Sequence, residues 1–244
     1  MTASTATDDN RWVARTGQNE LALLDVVNAG APTTTTPEAV LELIDKHCWT
    51  QGNGMMHIGD RKAKVIEQVM LDLKPRRVLE LGTFCGYSAV LMGSILKRLH
   101  PDHPSTKEAA AAAAAKPELV TIDPSSCQAD VAAKIVARAG LTDIVTFVND
   151  FSGPAIQNLS GQQFDMVFVD HQKDLYLPDV QAIVARGLLR KGGVVVSDNV
   201  GIFQSKEYLE WLRTSGLFSR NDLAHGTVEY SETRVDAIDI STLA

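Results

Sequence analysis

Between residues 77 and 197, short apolar runs alternate with helical segments, and no other feature restricts the fold of this chain so strongly. The runs at 78–81, 119–122, 144–148, 166–169 and 194–196 are too short for core helices and too uniformly apolar for strands open to water on one face. They read as buried strands. Each is followed by a polar or glycine-bearing turn and then by a helix, which is the pattern of right-handed βαβ units in a mostly parallel, doubly wound α/β sheet. After Trp211 the pattern changes. Candidate strands around 217–223, 227–231 and 234–240 have no crossover helix between them, so an antiparallel C-terminal edge is expected.

Ahead of the first strand, segments 17–27, 37–48 and 60–73 repeat apolar residues three and four apart. Val40, Leu41, Leu43 and Ile44 give the second segment one apolar face, and Pro37 stands where a first helical turn tolerates proline. Gly52, Asn53 and Gly54 break that pattern before a loop at 55–59. The reading is a single domain over 17–244 with an N-terminal helical cap over 17–75, after a disordered leader at 1–16. Residues 101–117 hold Pro101, Pro104, Pro117 and an unbroken alanine run from Ala109 to Ala115. Such a segment has little apolar bulk for a core, so it reads as a low-complexity surface insertion.

Charge and cysteine usage narrow the possible partners. A formal net charge of -7 provides no basic field for nucleic acid or anionic lipid. Cys48, Cys85 and Cys127 are far apart with no C-x-x-C pair, which fits neither a disulfide framework nor a zinc site and points to a reducing, cytoplasmic setting. No apolar run is long enough to span a bilayer, and the first residues lack the basic start and apolar stretch of a signal peptide. A monomer acting on a small molecule is expected.

Chemistry concentrates at the ends of the predicted strands. The first strand runs into Glu80-Leu81-Gly82-Thr83-Phe84-Cys85-Gly86, with a helix opening near Tyr87-Ser88. Glycines there let backbone approach a ligand, but the spacing is not the G-x-G-x-x-G that seats a pyrophosphate. An acidic residue before the first glycine suits a cationic ligand such as a sulfonium amino acid. Asp123 ends the second strand, where nucleotide-binding α/β folds place a carboxylate for ribose hydroxyls. Its distance from Gly82 is about twice the usual ~20 residues, and removing the insertion largely restores the spacing. Asp170 follows the fourth strand and Asp198-Asn199 the fifth. Together they form a hard oxygen set suited to Mg²⁺, while each alone is also a common turn or capping residue. Lys173 becomes a candidate base if desolvation and a nearby cation favour its neutral form. His171 reads equally as a hydrogen-bonding wall.

These residues, with Met56-His57-Ile58-Gly59-Asp60, Asp170-His171-Gln172-Lys173-Asp174, Tyr176-Leu177-Pro178-Asp179, the 187–192 segment and Asp198-Asn199-Val200, resemble the animal catechol O-methyltransferases from about Glu38 to Tyr230. The resemblance implies a Rossmann-like class I methyltransferase using S-adenosylmethionine and Mg²⁺ on a catechol-type acceptor. By position it makes Asp170, Asp198 and Asn199 the metal ligands, Lys173 the general base, and Glu229 the carboxylate that hydrogen-bonds the second catechol hydroxyl. The implied donor pocket comprises Met56, Ile58, Glu80, Gly82, Phe84, Ser88, Asp123, Pro124, Ser152, Asp170 and His171, with Asp123 standing where the family has glutamate. The acceptor slot departs from the family. Two tryptophans and a proline are replaced by Gly54, Gln172 and Phe203, with Trp49 a candidate substitute wall.

Three alternatives accompany this reading. The same chemistry could act on a phenylpropanoid or other vicinal diphenol, or the fold could serve as a non-catalytic nucleotide-binding scaffold. A nicotinamide oxidoreductase is weaker, because the pyrophosphate glycine pattern is missing.

Overall fold

The computed structural model describes residues 18–51, 55–101, 116–203 and 205–244. The expected leader, Gly54 and nearly all of the low-complexity insertion lie outside the described residues. Three helices come first: α1 (Gln18–Gly30), α2 (Pro37–Gln51) and α3 (Gly59–Leu73). The alternating part follows as β1 (Arg77–Leu81), α4 (Tyr87–Leu99), β2 (Glu118–Ile122), α5 (Ser126–Arg138), β3 (Val145–Val148), α6 (Ser152–Asn158) and β4 (Phe164–Val169). A 3₁₀ turn (Lys173–Leu175) leads into α7 (Tyr176–Ala185), then β5 (Leu189–Ser197), α8 (Lys206–Thr214), β6 (Phe218–Thr227) and β7 (Val235–Leu243).

One sheet has the order β3-β2-β1-β4-β5-β7-β6. β1 to β5 run parallel, and β7 pairs antiparallel with both β5 and β6. This is the Rossmann-like α/β architecture with the expected antiparallel edge. One expectation fails, because residues 227–231 are not a strand. β6 extends to Thr227, and the chain then turns, with Tyr230 at a left-handed φ of 49° that no ladder accepts and Ser231 N donating to Val228 O at 3.2 Å.

The sheet is covered on both faces. One core packs Val78, Phe168 and Val196 against the cap helices with α4 and α5, and the other packs Leu79, Val167 and Val195 against α6, α7 and α8. Alternate residues of each strand enter opposite cores, which is why these runs are apolar throughout. On α3 the buried stripe is Gly59, Lys62, Ala63, Ile66 and Met70. Ile66 and Met70 each contribute on the order of 2 kcal/mol by burial. Lys62, in the same stripe, requires charged partners to be there.

Strand register builds the site. Leu81 is level with Ile122 and Val169, and Val169 with Ser197. The residues that follow are tied in a staircase: Asp123 N donates to Val148 O, Gly82 N to Ile122 O, Asp170 N to Leu81 O and Asp198 N to Val169 O, all at 2.9–3.1 Å. Asp123, Asp170 and Asp198 therefore reach one edge, at the switch point where strand order reverses between β1 and β4. β6 ends at that edge as well, which brings Glu229 to it.

Candidate active site

On the β1–β2 side the geometry is set by backbone. Gly82 has φ of 100°, and a Cβ there would lie 2.3 Å from Asp170 O, so only glycine lets β1 and β4 approach this closely. Asp123 accepts from Thr83 N and Phe84 N through one oxygen, at 3.1 and 3.0 Å, and from Ser125 N through the other at 2.9 Å. It thus holds the glycine turn as well as the start of α5, with one of its roughly four acceptor sites left. Glu80 is fully buried, and neither carboxylate oxygen makes a hydrogen bond of good geometry, although the Ser88 and Thr121 hydroxyls lie near enough to offset part of the burial cost. Burial pushes its pKa up to about 8. An orphaned carboxylate of this kind fits a cationic ligand such as a sulfonium amino acid. Ser88 and Ser152 are buried in the first turns of α4 and α6, Phe84 and Pro124 are half-buried, and Met56 is exposed. Ile58 is absorbed into the cap-side core.

The β4–β5 side is an ion network. Lys62 Nζ, only 2% exposed, donates to Asp198 Oδ2 at 2.7 Å, to Asp236 Oδ2 at 3.1 Å and to Glu229 Oε1. Asn199 Nδ2 donates to Glu229 Oε1 at 2.9 Å and Asp236 Oδ2 at 2.8 Å, leaving its own oxygen free of that clamp. Burial would push the Lys62 ammonium towards neutrality, but Asp198, Glu229 and Asp170 outweigh it and raise its pKa. For Asp198, burial and then the Asp170 charge lift the pKa to about 8. Its Oδ1 is buried without a partner.

With all of them ionised, four carboxylates (Asp170, Asp198, Glu229, Asp236) face two ammonium groups (Lys62, Lys173) and leave two negative charges, an excess that lifts the Asp198 pKa while no further cation offsets it. The orphaned Oδ1, the free amide oxygen of Asn199 and this deficit fit one hard divalent cation. Among the described residues, the carboxylates that come within 4.8 Å of one another are Asp198, Glu229 and Asp236. Asp170 is linked through Lys173, whose Nζ lies 3.0 Å from Asp170 Oδ1 and 2.6 Å from Tyr176 OH. Tyr176 donates onward to Asp198 O at 3.1 Å, and Phe203, 58% exposed, has its ring 5.6 Å from the lysine nitrogen. His171 Nε2 is 2.8 Å from Asp179 Oδ2 and its ring stacks on Tyr176, which makes it a fixed wall. Gln172 turns to Asp174 at 3.0 Å.

Lys62 and Asp236 are members that reading the sequence missed. Lys62 had a visible signal, since it occupies an apolar position in the three-and-four repeat of α3. Asp236 is the second residue of a strand whose next residues are buried, and only its place opposite Gly226 of β6, beyond the pairing with β5, gives it meaning.

A methyltransferase-domain family model matches residues 79–200. The chain is 35% identical over 183 residues to catechol O-methyltransferase B of Danio rerio, covering 73% of this chain and 62% of that protein. It is 36% identical over 188 residues to the catechol O-methyltransferase of Sus scrofa, covering 75% and 91%. A probable O-methyltransferase of Mycobacterium tuberculosis is 30% identical over 242 residues, covering 93% and 95%. Among solved structures, an O-methyltransferase from Bacillus cereus in complex with SAH superposes with a TM-score of 0.67 at 17% identity, over 91% of this chain and 97% of that one, a likeness of fold.

Proposed function

The chain belongs to the catechol O-methyltransferase family, and from that premise we propose that it transfers the methyl group of S-adenosylmethionine to one hydroxyl of a catechol-type small molecule in the presence of Mg²⁺. The observation that carries this reading is the buried, unpartnered Asp198 Oδ1 within a cluster two charges short of neutrality, beside Lys173 and across the sheet edge from Glu80. Asp170, Asp198 and the Asn199 oxygen would hold the metal. A divalent ion held there would supply Lewis acidity, lowering the pKa of a coordinated hydroxyl.

The protein's own groups supply orientation and proton handling. Glu80 offers its carboxylate to the donor's cationic portion, and the turn fixed by Asp123 lines the ribose. Lys173, aimed by Asp170 and Tyr176, takes the proton from the reacting hydroxyl. Glu229, clamped by Lys62 and Asn199, accepts from the second hydroxyl and sets which oxygen faces the donor. The enclosed edge holds both reactants together, on which a bimolecular transfer depends. With its three thiols free and no helix among the described residues long and apolar enough to cross a membrane, the reading includes a monomer working in a reducing, cytoplasmic setting.

A second reading changes only the acceptor. Gln172 and the exposed Phe203 and Met56 make a slot more open and more polar than one walled by tryptophans, which favours bulkier vicinal diphenols. Turnover of catechols of graded size with labelled methyl donor, with and without Mg²⁺, tests both. The expected result is metal-dependent methylation of vicinal diols and none of single phenols. Methylation that persists in excess chelator would overturn the metal role.

A further inference from the structure

Far from the sheet edge in sequence, helix α2 of the cap places Asp45, Cys48 and Trp49 on one face at helical spacing, and that face meets the β6–β7 turn. Tyr230 OH donates to Asp45 Oδ1 at 2.7 Å, and Tyr87 OH, from the first residue of α4, donates to Asp45 Oδ2 at 3.1 Å. His57 Nε2 is 2.8 Å from Tyr230 OH. Because that hydroxyl gives its hydrogen to Asp45, His57 must donate to it, which leaves Nδ1 bare, and Nδ1 indeed has no partner. Burial pushes the His57 pKa down to about 3, so the ring is neutral and the chain of donors runs one way, His57 to Tyr230 to Asp45. Trp49 stands edge-on to the Tyr230 ring at 5.5 Å, and His57 stacks on Tyr87 at 4.8 Å.

Tyr230 is held in a left-handed backbone conformation that a bulky residue adopts only at a cost. Glu229 is the residue before it, its Cα lying 3.5 Å from where a Cβ on Gly59 would be. The backbone of the acceptor carboxylate is therefore fixed from the cap side by Asp45, while its side chain is fixed from the metal side by Lys62 and Asn199.

We propose that Asp45, acting through Tyr230, is a positioning residue for the acceptor: it fixes the place of the Glu229 carboxylate and ties that place to the start of the donor helix through Tyr87. This rests on Glu229 contacting the acceptor, as set out above. Removing Asp45 or the Tyr230 hydroxyl frees the turn, so the acceptor loses orientation while Glu80 and Asp123 on the β1–β2 side keep the surroundings described above. Burial holds the Asp45 pKa at about 6, so its charge is kept in the fold against its preference. An asparagine of the same shape removes the charge, but its amide nitrogen cannot accept from the tyrosine hydroxyl that faces it, so one of the two bonds is lost or reversed.

The test compares Asp45→Asn, Tyr230→Phe, Glu229→Gln and the double variant Asp45→Asn/Glu229→Gln in the full chain with catechol. It reads kcat, acceptor KM, the ratio of the two monomethyl ethers, donor Kd by calorimetry, and Tm. Asp45→Asn is expected to raise acceptor KM about fivefold or to shift the isomer ratio about threefold, with donor Kd within about twofold and any fall in Tm no larger than that of Tyr230→Phe. Tyr230→Phe should reproduce this. In the Glu229→Gln background Asp45→Asn should add almost nothing, since both act through one carboxylate. An equal effect in both backgrounds, or a fall in Tm with kcat and donor affinity declining together, overturns the proposal. Were Asp45→Asn not to fold, Tyr230→Phe against Tyr230→Phe/Glu229→Gln carries the same comparison. A Glu229→Gln variant that leaves KM and isomer ratio unchanged refutes the reading of Glu229 itself and the proposal with it. An active Glu229→Gln with an independent Asp45→Asn refutes the proposal alone.

Discussion

The two halves of the sheet edge are built by different means. On the β1–β2 half, Asp123 is satisfied by three backbone N–H groups from within a few residues of two strand ends. On the β4–β5 half, Asp198, Glu229 and Asp236 are each held through one oxygen by the side chains of Lys62 or Asn199, with Ile202 N on the other Asp236 oxygen and Lys62 and Asp236 174 residues apart. The difference teaches where rigidity comes from. A backbone cradle is as stiff as the strands carrying it, whereas an ion network depends on every member and fails when one is removed.

Several substitutions would break or sharpen that contrast. The largest effect should come from Asp198→Ala, which removes the orphaned oxygen and one of the three carboxylates that hold Lys62. Turnover should fall by roughly 10³-fold, matching the several kcal/mol a metal contributes, while donor affinity measured by calorimetry changes little. A comparable loss of donor affinity would mean that the two halves are one unit. Next comes Lys173→Met, for which single-turnover methyl transfer should slow by about 10²–10⁴-fold with the least acidic catechol and recover in part with more acidic ones. An unchanged rate would remove this lysine from proton transfer.

Glu80→Gln addresses the other half. The folded pKa of about 8 stands above the ordinary 4.5, so the stability linked to this group is fully present below pH 4.5 and lost as pH rises through 8. The glutamine variant without donor should gain on the order of a few kcal/mol over wild type near pH 9 in denaturant melts, yet bind the donor about tenfold more weakly or worse. Equal stability at both ends of that range would show that water or the donor site already solvates Glu80. The smallest effect should follow from replacing residues 102–116 with a short glycine-serine turn. Tm should move by no more than about 2 °C and kcat should hold, as expected for a segment with little apolar surface. A larger drop in Tm would place that segment against the core.

The same contrast explains what the sequence revealed. Glu80, Gly82, Asp123, Asp170 and Asp198 were legible because parallel strands announce themselves as apolar runs and deliver the next residue to one edge. The turn chemistry of Gly82 is contiguous and carries its own pattern. Asp236 and Asp45 look ordinary beside their neighbours, Lys62 shows only as a charge at an apolar position of α3, and all three gain their roles from partners on other elements. The 227–231 segment misled for a related reason: Val228 and Tyr230 alternate with polar residues as a strand would, but a left-handed Tyr230, pinned by Asp45, turns them into a loop.

The order β5-β7-β6 also bears on how the molecule is made. β7 leaves the ribosome after β6 yet must insert between β6 and β5, so β6 has no hydrogen-bonded neighbour in the sheet until β7 arrives. During that interval a nascent chain already holds every residue assigned to the donor, while Lys62 and Asn199 still await Asp236. Such a chain holds Lys62 by Asp198 and Glu229 alone and presents an unpaired edge, which invites chaperones and proteases. A synthesis halted before residue 235 would thus hold every residue proposed for binding and catalysis, yet lack the strand that seats β6 in the sheet.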